Sequence, residues 1–160
     1  MKALSLWQPW AQLVALGVKR YETRSWSTQH RGPLLVHAAR RRPPMDMNPE
    51  LAELFGELAL RGWPREALPR GAIVGLVLVK AVHRTEDLEP LLSRVGVHEL
   101  ARGNFAPGRY AWELERVAAF QPVHMRGFQG LFDVPAWLEP ARLEDQGPRF
   151  TARFEGTAAP

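Results

Sequence analysis

The longest run of strand-forming residues, AIVGLVLVKAVHR at residues 72–84, is the feature that most constrains how this chain folds. Valine, leucine and isoleucine fill most of the run, which is typical of a strand buried in a sheet. Gly75 within it predicts a β-bulge. A second run, RYAWELERVAAF at residues 109–120, predicts another long strand. We therefore expect a fold that is organised by β-structure.

The remaining elements are short and are separated by turn signals. Pro9 and the apolar spacing after it predict a helix over residues 9–16, which Gly17 ends. Apolar residues at i, i+3, i+4 and i+7 predict an amphipathic helix at 49–61. Further strands are expected at 20–26, 33–38 and 130–134, and a short helix at 86–94. Strands outnumber helices, which favours a mixed, mainly β fold, a small β-barrel with short peripheral α-helices, over a doubly wound α/β sheet.

Composition bounds the class of protein. A chain of 160 residues suits a single domain, 1–160. Cysteine is absent, so neither a disulfide framework nor a thiolate zinc site can form. The N-terminal stretch lacks the long apolar region of a signal peptide, and no run approaches the ~20 apolar residues of a membrane span. We therefore expect a soluble, cytoplasmic protein without membrane contacts.

The charge balance is basic and is dominated by arginine. The formal net charge is +4, and only Lys2, Lys19 and Lys80 among the 21 basic residues are lysines. Arginine favours planar, bidentate contacts with phosphates and base edges. A GC-rich or thermophilic coding bias explains the same composition. The balance therefore favours an anionic partner only weakly.

A short stretch crowded with both signs of charge, GVKRYETR at residues 17–24, leads directly to Trp26. If residues 20–26 are extended, Glu22, Arg24 and Trp26 project from one face and Lys19 leans over that face. Such a face can hold an anion on Lys19 and Arg24, with Glu22 orienting them. The alternative is a salt bridge at the rim of the barrel, worth under about 1 kcal/mol.

Several motifs in order resemble the ASCH family, the activating-signal-cointegrator homology domains of the PUA-like superfamily. Gly17, Lys19, Glu22 and Arg24 match the family's G-x-K-x-x-E-x-R pattern, which we call the charged motif. Further matches are RGPLLVHAA, PRGAIVGLV, RYAWELERV and PVHMRGFQGLFDV, so the resemblance covers about residues 3–134. It implies a PUA-like barrel with a cleft beside the first helix, lined by the charged motif. It also implies a role with nucleic acid, RNA above all, or with nucleotides.

The resemblance leaves an enzymatic role open. Some small bacterial members are amidohydrolases of acylated cytidine, and they use the motif lysine, a threonine three residues later and a glutamate on a following strand. Here Lys19 is followed by Glu22 instead of threonine, and residues 72–84 contain no carboxylate. We therefore expect no efficient hydrolysis of acylated cytidine. If the chain is a hydrolase of a nucleoside or RNA, Lys19 and Glu22 are its candidate catalytic pair.

Aromatic and histidine residues complete the candidate list. Trp26 is the best candidate for stacking on a base, and Trp112 is expected to help wall the cleft, although core packing explains most tryptophans. The histidines show no metal-ligand spacing, so no metal or cofactor is expected. The basic loop at 40–42 is expected to contact phosphates without specificity.

The predicted function is therefore a nucleic-acid-binding or nucleotide-binding domain, with RNA favoured. Its predicted ligand-binding residues are Lys19, Glu22, Arg24, Trp26 and Trp112. Two alternatives stay open, a small amidohydrolase of modified nucleosides and a protein-interaction module. An open, basic, aromatic-edged cleft favours RNA binding, a buried and unpaired Lys19 favours the hydrolase, and a cleft too narrow for a base favours the interaction module.

Overall fold

The computed structural model describes residues 1–44, 49–91, 96–138, 140–144 and 151–154. The strands of the described residues are β1 (Lys2–Leu6), β2 (Tyr21–Arg24), β3 (Gly32–Ala38), β4 (Ala72–Arg84), β5 (Tyr110–His124), β6 (Leu131–Asp133), β7 (Pro140–Glu144) and β8 (Thr151–Phe154). The helices are α1 (Trp10–Ala15), α2 (Pro49–Leu60) and α3 (Val97–Leu100), with 3-10 turns at Arg65–Ala67, Thr85–Leu91 and Ala136–Leu138.

One sheet of six strands, in the order β2-β5-β4-β3-β1-β6, forms the body of the protein, and β7 and β8 form a separate hairpin. Neighbouring strands of the sheet are antiparallel except for β1 and β3, which are parallel. The sheet curls into a half-barrel with few short helices. In the part of the chain that the structure describes, its edge strands β2 and β6 do not pair. The predicted mixed, mainly β fold with peripheral helices is confirmed.

Helix α1 lies directly on β4 at Gly75. A Cβ atom at Gly75 would lie 2.8 Å from the Cβ of Ala15 and 2.9 Å from the carbonyl oxygen of Ala118. No side chain fits there, so glycine sets how closely the helix approaches the sheet. The pairing of β4 with β5 also shifts register between Ile73 and Gly75, which confirms the predicted bulge.

Three clusters of buried side chains hold these elements together. The first joins α1 to one face of the sheet and includes Trp112. The second covers the other face and includes Phe132 of β6. The third places α2 against the outer side of α1 through Leu13. Because α1 is packed from both sides, the turn that follows it, which carries the charged motif, starts from a fixed position.

Several elements differ from the predictions. Strands β7 and β8 and the short helix α3 were not predicted. Strand β1 was not predicted, because its short sequence KALSL has no strong strand pattern, and its conformation is set by parallel pairing with β3. The helix predicted at 86–94 is a 3-10 helix in its described part, Thr85–Leu91, and residues 92–94 lie outside the described residues. That residues 1–160 form a single domain stays a prediction.

None of the helices that the structure describes is long and apolar enough to span a bilayer.

Candidate functional site

A cleft of about 1970 Å³ opens beside α1 and the charged motif. Loops that follow β1, β3 and β5 contribute to its walls, together with the turn between α3 and β5. Among the charged residues of its described lining, lysines and arginines outnumber the two carboxylates, Glu22 and Glu50. These basic residues are Lys19, Arg24, Arg40, Arg41, Arg70, Arg102, Arg109 and Arg126. The cleft is therefore suited to an extended anion.

Gly17 turns the chain from α1 into β2. Its φ of +74° is in the left-handed region, and a Cβ atom there would lie 2.8 Å from Cδ of Arg116. The turn therefore passes directly over β5. Strand β2 then pairs with β5, with Glu22 opposite Trp112. This pairing places Glu22 and Arg24 along the cleft.

Lys19 is buried, with 1 % of its side chain exposed. Its Nζ donates to the carbonyl oxygen of Tyr21 and lies 3.5 Å from Oε2 of Glu22. Burial lowers the pKa of Lys19, and the nearby carboxylates of Glu22 and Glu99 oppose this by favouring the charged form. Lys19 therefore holds the start of β2 and the carboxylate of Glu22, with little surface left for a ligand.

Arg24 lines the cleft, and contacts with Glu22 and Ser5 fix its position. Its Nε forms an ion pair of 3.0 Å with Oε1 of Glu22, and its Nη2 donates to the carbonyl oxygen of Ser5 at 3.0 Å. About a quarter of its side chain, 26 %, is exposed. A guanidinium has five N–H groups, so Arg24 keeps donors for a ligand after these contacts.

The contacts continue from Ser5 to the loop after β5. The hydroxyl of Ser5 and Nδ1 of His37 are 3.0 Å apart, and Nε2 of His37 is 3.1 Å from the carbonyl oxygen of Met125. A carbonyl only accepts, so Nε2 carries the proton and Nδ1 accepts from Ser5. Burial lowers the pKa of His37 and favours this neutral form. Gly127 lies against the pair, since a Cβ there would be 2.6 Å from Oγ of Ser5.

The two predicted tryptophans have different surroundings. Trp26 is partly buried and lines the cleft. Trp112 is fully buried and packs edge to face on Trp26, with ring centroids 4.8 Å apart. Trp26 therefore has a surface for a ligand, whereas Trp112 fixes the position of its ring.

The sequence analysis missed several residues of the site, including Ser5, Thr23, Glu99 and Arg102. Oε1 of the buried Glu99 accepts from the backbone N–H groups of Arg20 and Tyr21, at 2.8 and 2.9 Å. Arg102 donates to Glu57 at 2.7 Å and to the carbonyl oxygen of Val18 at 3.0 Å. Both residues brace the turn that carries Lys19. Their sequence neighbourhood carries no signal, because their partners are far away along the chain.

The far wall of the cleft is attached to β2 by polar contacts. Oγ1 of Thr23 accepts from the backbone N–H of Asn104 at 3.0 Å. Arg109 donates from Nε to the carbonyl oxygen of Asn104 at 3.1 Å.

Among the described residues, no group of three or more acidic or histidine side chains could hold a metal ion.

The sequence model of the ASCH domain family matches residues 4–129, which make up most of the chain. The chain belongs to the ASCH family. Activating signal cointegrator 1 of Mus musculus is 41 % identical over 78 residues, and that of Homo sapiens is 40 % identical over 78 residues. Each match covers 46 % of this chain and only 13 % of the relative, so this ASCH chain corresponds to a small part of those proteins.

Solved ASCH structures share the fold of this chain. The crystal structure of ASCH from Zymomonas mobilis superposes with a TM-score of 0.52, covering 84 % of this chain and 87 % of that one at 16 % identity. The crystal structure of a mutant of the same Zymomonas mobilis protein gives the same TM-score at 15 % identity. At this identity the likeness establishes the half-barrel alone. ASCH domains commonly bind RNA, and this ASCH chain has a basic cleft beside its charged motif.

Proposed function

We propose that this chain binds single-stranded RNA in the cleft beside the charged motif. The observation that carries the proposal is the position of Arg24, whose guanidinium is held by Glu22 and Ser5 in a cleft where lysine and arginine side chains outnumber carboxylates. A fixed guanidinium with unused donors suits a phosphate or a base acceptor.

The other predicted site residues act around Arg24. Trp26 stacks on a base, since each base has a π-face, and Trp112 keeps the ring of Trp26 in place. Glu22 orients Arg24, and Lys19 holds Glu22 and the start of β2. Lys19 thus acts by positioning, a narrower role than direct contact with an anion.

The shape and charge of the site support binding over the two alternatives. The cleft is open, basic and edged by aromatic rings, and its volume exceeds the space a base needs. Lys19 is buried, but it is paired with Glu22. That the chain does not efficiently hydrolyse acylated cytidine stays a prediction.

A salt titration of affinity for a short single-stranded RNA tests the proposal. Arg24→Ala is expected to weaken binding by roughly 1–3 kcal/mol, as the loss of a bidentate contact does. Arg41, an exposed residue in the basic loop, provides the matched variant. Arg41→Ala is expected to lower the salt slope by about one unit with a small change in affinity.

The outcomes separate the candidate functions. Arg24→Lys keeps the charge and loses the bidentate fork, so a loss like that of Arg24→Ala indicates bidentate recognition. Equal small effects of Arg24→Ala and Arg41→Ala contradict a specific role for the charged motif. An absence of RNA binding at low salt overturns the proposal and favours one of the alternatives. Thermal unfolding of each variant shows whether the fold is retained.

A further inference from the structure

Two exposed aromatic rings line the cleft. Five large hydrophobic side chains are exposed in the described residues, and only Trp7 (44 %) and Phe128 (50 %) also line the cleft. Trp7 directly follows β1, and Phe128 shortly precedes β6. Because β1 and β6 are antiparallel neighbours, the segments that carry Trp7 and Phe128 leave the sheet at the same end. We call Trp7 and Phe128 the rim pair.

The ring of Phe128 is held by its neighbours. It packs against Phe132 with ring centroids 5.5 Å apart, and the guanidinium of Arg126 lies 5.4 Å from its centroid. A cation close to an exposed ring resembles the combination that single-strand binding proteins use, in which bases stack and arginines contact the backbone.

The size of the cleft also indicates a ligand longer than one nucleotide. Sites for small molecules usually enclose about 300–1,000 Å³. The cleft here measures about 1970 Å³ and includes both the floor at Arg24 and Trp26 and the rim pair. One nucleotide on the floor leaves the rim pair without a base to stack on.

We infer that the rim pair is a second stacking subsite, which takes the base of a nucleotide flanking the one bound at Arg24 and Trp26. The ligand is then an RNA strand of several nucleotides, and a free nucleoside or mononucleotide occupies only part of the site. The phosphates between the bases face the basic loop and Arg126. This inference rests on the proposed function and specifies its ligand.

The test compares a six-nucleotide adenylate strand with adenosine 5′-monophosphate by calorimetry at low salt. The strand is expected to bind at least about tenfold more tightly than the mononucleotide, because it also stacks on the rim pair. Trp7→Ala and Phe128→Ala are each expected to weaken strand binding by about tenfold, as loss of stacking on one ring does, and to lower the ratio of the two affinities. Trp7→Tyr keeps a ring and is expected to restore most of that ratio.

Trp137 provides the matched control, because it is exposed (54 %) and is not part of the lining of the cleft. Trp137→Ala is expected to bind the strand like the wild type. Equal affinity for strand and mononucleotide overturns the inference, as do rim-pair variants that behave like Trp137→Ala, and either result leaves RNA binding at Arg24 intact. An absence of binding by both ligands refutes the proposed function itself.

Discussion

Replacing Gly75 by alanine tests whether the contact between α1 and β4 positions the charged motif. The added Cβ atom would lie 2.8 Å from the Cβ of Ala15, 2.9 Å from the carbonyl oxygen of Ala118 and 3.2 Å from Cα of Ala15. The neighbours are a helix and a paired strand, so no flexible side chain can swing aside. The helix must move away from the sheet.

The magnitude follows from the type of contact. Overpacking a well-filled core by one methyl group typically costs about 1–3 kcal/mol. Alanine loses less conformational entropy on folding than glycine, which offsets at most about 1 kcal/mol of that cost. We therefore expect Gly75→Ala to lower the free energy of unfolding by about 1–2 kcal/mol. RNA affinity is expected to fall as well, because α1 leads through Gly17 to Lys19.

A double-mutant cycle measured by urea unfolding checks this argument. Ala15→Gly removes one of the two closest contacts but leaves the carbonyl of Ala118, so the double variant should recover only part of the loss. A coupling of at least about 0.5 kcal/mol is expected for residues in direct contact. Gly56 is the control, since it lies in α2 with open space around its Cβ position. Gly56→Ala should stabilise the protein by about 0.5–1 kcal/mol.

Two results would refute the reasoning. If Gly75→Ala is as stable as the wild type, the helix does not rest on this glycine. If the effects of Gly75→Ala and Ala15→Gly simply add, the loss arises elsewhere than at their contact.

Two further predictions concern the residues that brace the site. Glu99→Ala leaves the backbone N–H groups of Arg20 and Tyr21 without their acceptor and should cost about 2 kcal/mol or more in chemical unfolding, whereas the exposed Glu53→Ala should change stability by less than about 0.5 kcal/mol. Equal losses in the two variants would count against the bracing role. Since burial lowers the pKa of His37 below its usual 6.5 in the folded state, the unfolded chain binds more protons below that pH. The stability that His37 contributes should therefore be complete above about pH 6.5 and be lost as the pH falls, and His37→Gln should flatten this part of the stability profile. An unchanged profile in His37→Gln would show that other groups determine how stability falls at acidic pH.

The placement of Lys19 changes how the charged motif is interpreted. On sequence grounds Lys19 and Arg24 were both expected to hold an anion, with Glu22 between them. In the structure Lys19 is buried between carboxylates, and the more exposed Arg24 keeps donors for the cleft. We therefore propose that the motif supplies one contacting arginine, Arg24, whose position is fixed by a glutamate and a lysine.

Local pattern alone determined most of the strands and helices of this protein. The long runs at 72–84 and 109–120 fold as β4 and β5, because dense branched and apolar residues fit a buried, pleated surface. Gly17 and Pro9 marked the ends of α1, because their backbone preferences are local. The charged motif was also visible in the sequence, since its residues lie within one short stretch.

Tertiary structure alone decided the arrangement of the site. Strand β1 forms through pairing with β3, and Glu99 and Arg102 reach the motif from far along the chain. The burial of Lys19 and Trp112 depends on how α1 and β5 pack around them, so no sequence pattern near either residue predicts it. Trp7 and Phe128 line the same cleft from the same end of the sheet only because β1 and β6 are neighbours. Local propensity acts over a few residues, whereas each of these features depends on contacts between distant segments that exist only after folding.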